Sequence, residues 1–291
     1  MDRKARATLV GIVSILLWAL LALFTATAGA IPPFELMALT FAIAFAGGMV
    51  VLALRGKAGL AELVQPPAPW LTAFLGLFLY HALYFYALQN APVGEASIIC
   101  YLWPLFIVLF SALLPGERLK ARHLAGAALG FAGTALIILA KGGAIGGEGS
   151  ALGYLAALGC AFVWSGYSVL NRRFQGTPSG MLVGVCGAVA LAAAASHWAF
   201  EETVSPTALQ GAAVVALGLG PVGLAFLAWD HATKHGHIAL LGTLSYLAPL
   251  ISTALLVMTG AAPASLKLAL AALLVIGGAV LATGLPGRKQ A

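Results

Sequence analysis

Long apolar runs alternate along the chain with short polar breaks. The runs fall at 8–28, 34–54, 70–88, 93–114, 119–140, 151–171, 179–200, 209–230, 237–259 and 265–284. Each is near the roughly 20 residues that a helix needs to cross a bilayer core. The pattern predicts an all-α integral membrane protein of ten transmembrane helices. The breaks carry turn chemistry: Pro32-Pro33, Pro66-Pro67-Ala68-Pro69, Ala91-Pro92, Pro115-Gly116, the glycine-rich 142–149, Thr177-Pro178, Ser205-Pro206, Gly236 and Ala262-Pro263. None is long enough to hold a soluble domain.

The pattern also repeats. Residues 76–104, with the aromatic cluster Tyr80, Tyr84, Phe85, Tyr86, Tyr101 and Trp103 and with His81 inside it, recur 145 positions later as 221–249. Tyr101-Leu102-Trp103-Pro104-Leu105 becomes Tyr246-Leu247-Ala248-Pro249-Leu250, and Gly133 meets Gly278 farther along. Outside this stretch, Trp18 of the first helix matches Trp164 of the sixth. Such a period predicts a duplication, 1–145 and 146–291. Five helices per repeat is an odd number, so the second repeat enters the membrane from the opposite side. Two inverted five-helix repeats, related by an axis in the membrane plane, are the expectation.

Composition strengthens the membrane reading. The chain is 62% hydrophobic and 8% charged, with a mean hydropathy of +1.01. Soluble domains carry about 25% charged residues. The net charge of +6 comes from short basic clusters between apolar runs, which argues for orientation in a bilayer and against nucleic acid. With the amino terminus inside, Arg3, Lys4, Arg6, Arg55, Lys57, Arg118, Lys120, Arg122, Arg172, Arg173, Lys234, Arg288 and Lys289 fall on the cytoplasmic side. Only Lys141 and Lys267 fall outside, so both termini are expected in the cytoplasm. Asp2 to Arg6, the first apolar run and Ala26-Thr27-Ala28 resemble a cleavable signal, but the run is long enough to span and retention is expected. Cys100, Cys160 and Cys186 sit in apolar runs without a ligand pair, so neither a disulfide nor a metal is indicated.

Candidate chemistry gathers around the repeated stretch. Ser97, Tyr101, Pro104 and Val108 share one face of the fourth helix, and Gly242, Tyr246, Pro249 and Thr253 share the matching face of the ninth. Each proline removes a backbone donor, so Pro104 and Pro249 are expected as matched gating bends beside a cavity. Simple helix bending for packing is the plainer alternative. Trp18, Tyr80, His81, Tyr84, Tyr101, Trp103, Trp164 and Tyr246 are the candidate substrate-binding residues. An interfacial belt would explain membrane Trp and Tyr, yet Trp18 and His81 fall near mid-span. Aromatic walls with a few polar tips suit an organic solute, including an ammonium held by cation–π contact. His81 could donate to a carboxylate or relay a proton, or simply join two helices. Glu95 lies one turn inside the fourth helix, as a snorkelling group or a contact at the outer mouth.

Several signals are discounted. His231 and His235, beside Asp230, have metal-ligand spacing but lack a third ligand. Gly218-x-Gly220-x-x-Gly223 matches a dinucleotide fingerprint but follows no strand, and helix packing explains its glycines. Walker A, HExxH and GxSxG sequences are missing, so no cofactor is expected and ATP-driven transport loses its usual signature.

The Tyr-Leu-Trp-Pro segment at 101–104 followed by Gly116-Glu117-Arg118-Leu119, within ten spans and a five-plus-five repeat, resembles the drug/metabolite transporter superfamily, EamA type. The second half departs, with Gly260-Ala261-Ala262-Pro263 where a second Gly-Glu ending would stand. The aromatic-rich third helix is similar to that of bacterial inner-membrane members that export aromatic and other neutral amino acids. The resemblance implies secondary transport by alternating access, with small solutes and the bilayer as partners. Nucleic acid is not among the partners. Oligomeric state stays open, a monomer being compatible. Independently, a sugar phosphate would favour a deep Arg or Lys, and here every basic residue lies near a membrane face. A membrane-embedded enzyme or a non-transporting scaffold remains the alternative from another class.

Overall fold

The computed structural model describes residues 2–116, 119–140, 150–258 and 265–283. Glu117 and Arg118 of the Gly-Glu-Arg-Leu motif lie outside the described residues. So do Lys141, the 142–149 connection, Gly260-Ala261-Ala262-Pro263, Arg288 and Lys289. Regular structure among the described residues is helical throughout. In chain order the helices are α1 (Arg3–Ala19), α2 (Leu21–Ala28), α3 (Pro33–Leu54), α4 (Gly56–Ala61), α5 (Pro67–Asn90), α6 (Val93–Cys100), α7 (Trp103–Ser111) and α8 (Ala121–Ala140). Then come α9 (Ala151–Leu170), a 3-10 turn (Asn171–Phe174), α10 (Met181–Phe200), α11 (Ala208–Leu217), a π-helical turn (Gly218–Leu224), α12 (Ala225–His235), α13 (Ile238–Leu244), α14 (Leu247–Met258) and α15 (Leu266–Thr283).

Among the described residues, nine helical stretches are long and apolar enough to cross a membrane, and α15 contributes a shorter one, Leu266–Ala282. Four of the expected spans are continuous in hydropathy but broken in backbone, the first of them at Leu20 between α1 and α2. The fourth divides into α6 and α7 at Tyr101-Leu102, the ninth into α13 and α14 at Ser245-Tyr246, and the eighth passes through the π turn around Pro221. Pro104 occupies the first turn of α7, where its missing N–H costs no helix bond. Pro249 is the third residue of α14, so each proline opens the second segment of its span.

The chain forms two compact units. Unit 1 comprises Met1–Ala82 and Leu170–Gly236, and unit 2 comprises Leu83–Val169 and His237–Ala291. Each draws on both halves of the sequence.

In unit 1, α3 packs along α10 and α1 along α12. Small residues set the close approaches. A Cβ on Gly48 would stand 2.6 Å from Val183, and one on Gly218 would stand 2.7 Å from Ile43 and 2.8 Å from the Thr40 carbonyl. Gly218, the first glycine of the GxGxxG stretch, therefore serves helix packing, as its position in an apolar span implies. The Glu201 carboxylate caps α3 by accepting from the Phe34 and Glu35 amides at 3.0 and 3.1 Å, where the helix dipole favours an anion.

In unit 2, α8 and α15 meet backbone to backbone. A Cβ on Gly126 would lie 2.5 Å from the Gly278 carbonyl, and a Cβ on Gly278 would lie 2.5 Å from the Gly126 carbonyl. One turn pair farther along, Gly133 faces the Ala271 carbonyl at 2.8 Å on the same measure. Lipid tails offer no hydrophobic drive for helix association, so such approaches must supply it through van der Waals contact. Gly130 likewise makes room for the Tyr246 ring, which is buried with Val108, Ala127 and Val275.

Candidate functional site

Unit 1 gathers an aromatic cluster around His81. Its ring meets Tyr80 edge-on at 5.1 Å, Phe41 at 5.5 Å and Phe226 at 6.1 Å. His81 Nδ1 lies 2.6 Å from the Leu77 carbonyl oxygen. A carbonyl can only accept, so Nδ1 carries the proton and Nε2 is the acceptor of the neutral ring. Donation from Nε2 to a carboxylate then requires the imidazolium. Trp18 completes this cluster, 5.0 Å from Trp229 and 6.1 Å from Phe226.

Backbone geometry fixes Trp18. Within the π turn, the Ala225 amide donates to the Gly220 carbonyl five residues back. The Pro221 carbonyl instead accepts the Trp18 indole N–H at 3.1 Å. One turn earlier on α1, the Ser14 hydroxyl donates to the Ala225 carbonyl at 2.8 Å. Two side chains of α1 thus bond to two carbonyls of the neighbouring helical segments, which keeps both side-chain donors paired in apolar surroundings.

Unit 2 holds the remaining candidates. Trp103 and Trp164 meet edge-on at 6.2 Å, and Trp164 is 5.5 Å from Tyr167. Trp103, Trp164 and Tyr167 are buried, whereas Tyr84 and Tyr101 are partly exposed. Tyr246 is fully buried, and its hydroxyl donates to the Tyr101 carbonyl at 3.2 Å. That bond joins the two helix breaks across 145 residues of sequence. Tyr84 packs beside Phe85 at 6.0 Å. The structure therefore brings Trp18, Tyr80 and His81 into one neighbourhood of unit 1. In unit 2 it pairs Trp103 with Trp164 and Tyr246 with Tyr101. Glu95 accepts a hydrogen bond from the Tyr154 hydroxyl. Two shallow grooves, one at Leu83, Tyr86, Leu152, Leu155 and Ala156 and one at Gln65, Pro67, Trp70, Leu71, Phe74 and Ala188, contain none of the candidate substrate residues.

A polar cluster that sequence reasoning passed over lies at the end of α12. Asp230 and Lys234 have no exposed side-chain surface, and Lys234 Nζ lies 2.8 Å from Asp230 Oδ2. Asn171 donates to Asp230 Oδ1 at 2.9 Å and to the Thr233 hydroxyl at 3.0 Å. Lys234 also donates to the Thr177 carbonyl at 3.0 Å. Arg172 donates to the Lys234 and Gly236 carbonyls at 3.0 and 2.7 Å. Lys234 is thus a buried ion-pair partner, where the charge pattern placed it in a basic cytoplasmic cluster. The spacing of Asp230 and Lys234 at i, i+4 was the available signal, but that spacing equally describes an exposed helical pair. His231 and His235 approach to 4.9 Å, and among the described residues no group of three metal-ligating side chains forms.

Comparison with known proteins places this geometry. Residues 5–139 match the model of the EamA-like transporter family. The aromatic amino acid exporter YddG of Ancylobacter novellus is 50% identical over 286 residues, covering 98% of this chain and 99% of that protein. The protein of the same name from Escherichia coli K12 is 25% identical over 294 residues, covering 96% and 97%. A solved crystal structure 50% identical in sequence superposes with a TM-score of 0.91 over 96% of each chain.

Proposed function

The chain belongs to the EamA-like transporter family, and from that membership we propose that it exports aromatic and other neutral amino acids across the bacterial inner membrane. The observation that carries the proposal is the full-length, 50% identical match to an exporter named for aromatic amino acids. The ring clusters support it, because Trp and Tyr faces suit both an apolar side chain and an ammonium.

Solute contact is proposed for Trp18, Tyr80 and His81 of unit 1 and for Tyr84, Tyr101, Trp103 and Trp164 of unit 2. Tyr246, enclosed and bonded to the Tyr101 carbonyl, is proposed as a positioning residue. With Nδ1 held by Leu77, neutral His81 offers an acceptor to an ammonium and imidazolium His81 offers a donor to a carboxylate.

The transport cycle is proposed as alternating access in two inverted repeats, 1–145 and 146–291, with both termini cytoplasmic. The contacts in unit 2 support the repeat. A shift of 145 turns the Gly126–Gly278 approach into Ala271–Gly133, and both approaches occur. The helix breaks before Pro104 and Pro249 also correspond under this shift, as gating bends should.

Efflux of labelled phenylalanine, tryptophan and leucine from proteoliposomes tests the function. Wild-type chain should export all three, and Tyr101→Ala and Trp164→Ala should raise half-saturation at unchanged expression. Transport of none of them would remove the substrate class. Unchanged half-saturation in both variants would move the solute contacts elsewhere.

A further inference from the structure

We infer that Asn171, Arg172, Asp230 and Lys234 form a clasp tying together the two points where the chain enters and leaves the second segment of unit 1. This clasp governs the rate of the transport cycle and not the affinity for solute. The inference rests on the transporter reading above.

The chain enters that segment at Leu170 and leaves it after Gly236. Arg172, two residues after entry, donates to the carbonyl of Gly236, the residue at the exit, at 2.7 Å. It also donates to the Lys234 carbonyl at 3.0 Å. The last carbonyls of a helix lack intrahelical donors and carry its negative dipole end, so a guanidinium there is well placed. Asn171, the residue before it, holds Asp230 and Thr233 of α12. Lys234 closes the loop by bridging Asp230 and the Thr177 carbonyl beyond the 3-10 turn. These five hydrogen bonds, with two longer ones from Asn171 to the Asp230 carbonyl at 3.3 Å and from Arg172 to the Thr233 carbonyl at 3.4 Å, tie the two segments of the crossing together.

Gly236 locks the exit from a further side. Its backbone is extended (φ −89°, ψ −171°), and a Cβ there would stand 2.7 Å from the Ala232 carbonyl and 3.1 Å from both the amide and the hydroxyl of Thr8 on α1. Entry and exit are thus carried as one body. Any bend that accompanies the cycle must be taken up beyond residues 170 and 236.

Adhesion alone does not account for these residue types. A fully buried Asp–Lys pair loses its hydration, and an apolar pair of similar volume commonly holds helices as well or better. What ions and a guanidinium fork add is direction: each donor fits one acceptor position, which fixes the register of the two strands.

The test uses the full chain with Lys234→Met, Asp230→Asn and the double substitution Asp230→Leu/Lys234→Met. Each single variant should lower turnover at least tenfold with half-saturation within twofold of wild type. The double variant, with no unpaired charge, should regain wild-type thermal stability but not turnover. Recovery of turnover together with stability would make the pair a folding element only and overturn the inference. A rise in half-saturation that accounts for the lost transport would place these residues on the solute and overturn it too. Hydrogen exchange gives a readout that needs no substrate: amides of 171–177 and 230–236 should lose protection together in each single variant. Loosening of only one strand refutes the clasp. If the wild-type chain exports no amino acid, the functional reading fails, and exchange alone then decides the clasp.

Discussion

Two proline-linked breaks in this protein end differently. In the ninth span the break falls at Ser245-Tyr246, ahead of Pro249, and the Tyr246 hydroxyl crosses to the Tyr101 carbonyl at the fourth-span break. In the eighth span Pro221 sits inside a π turn, and the Trp18 indole reaches its carbonyl. Both breaks receive an aromatic donor at a backbone carbonyl, which leaves the donor paired in an apolar medium. The outcome for the donor differs. Tyr246 is enclosed on all sides, whereas Trp18 keeps part of its surface exposed. One ring is committed to packing, and the other serves the backbone with its N–H while keeping the uncovered surface that the proposed solute contact requires. An aromatic residue at membrane depth is therefore not one kind of evidence.

The widest separation between the two should come from Trp18→Ala. Loss of a desolvated cation–π face costs about 2 kcal/mol, so half-saturation for amino acid efflux should rise roughly thirtyfold. A change confined to stability would erase the distinction from Tyr246. Tyr246→Phe should do the reverse, lowering unfolding stability by about 1–2 kcal/mol through the lost buried hydrogen bond while half-saturation stays put. Thermal unfolding in detergent and efflux kinetics on the same sample measure both. Pro221→Ala comes next. Restoring an N–H allows the π turn to relax toward α register and weakens the Trp18 contact, with about a fivefold loss of transport, equivalent to one hydrogen bond of about 1 kcal/mol. The smallest effects belong to Pro104→Ala and Pro249→Ala. Both prolines open a helical segment, so stability should shift by no more than about 0.5 kcal/mol while turnover slows by about two- to threefold. Wild-type turnover in the double replacement would end their assignment as gating bends.

Much of the architecture was legible because it depends on local chemistry. The apolar runs marked the spans, and Pro104 and Pro249 marked where helical continuity fails, since a proline removes a donor wherever it stands. Pro221, inside the eighth run, was not singled out. The form of each failure was not legible. Pro104 and Pro249 produced separate helices, while Pro221, flanked by Gly218, Gly220 and Gly223, produced a π turn against α3. The candidate rings were recognisable by type and depth. Their partners were not: Trp18 and Pro221 are 203 residues apart in sequence. Lys234 shows the limit most clearly. Its neighbourhood reads as a basic membrane edge, yet its ammonium is buried between Asp230 and the Thr177 carbonyl of a distant segment.

Hydropathy and turn residues along the chain suffice to place it in a membrane and to locate its long apolar runs. Both signals act over a few neighbouring positions. Tertiary structure alone decided which glycines bring backbones together, which carbonyl each aromatic donor serves, and which charges leave water. Those outcomes depend on segments many tens of residues apart arriving side by side, because a buried polar group is settled by whatever donor or acceptor reaches it.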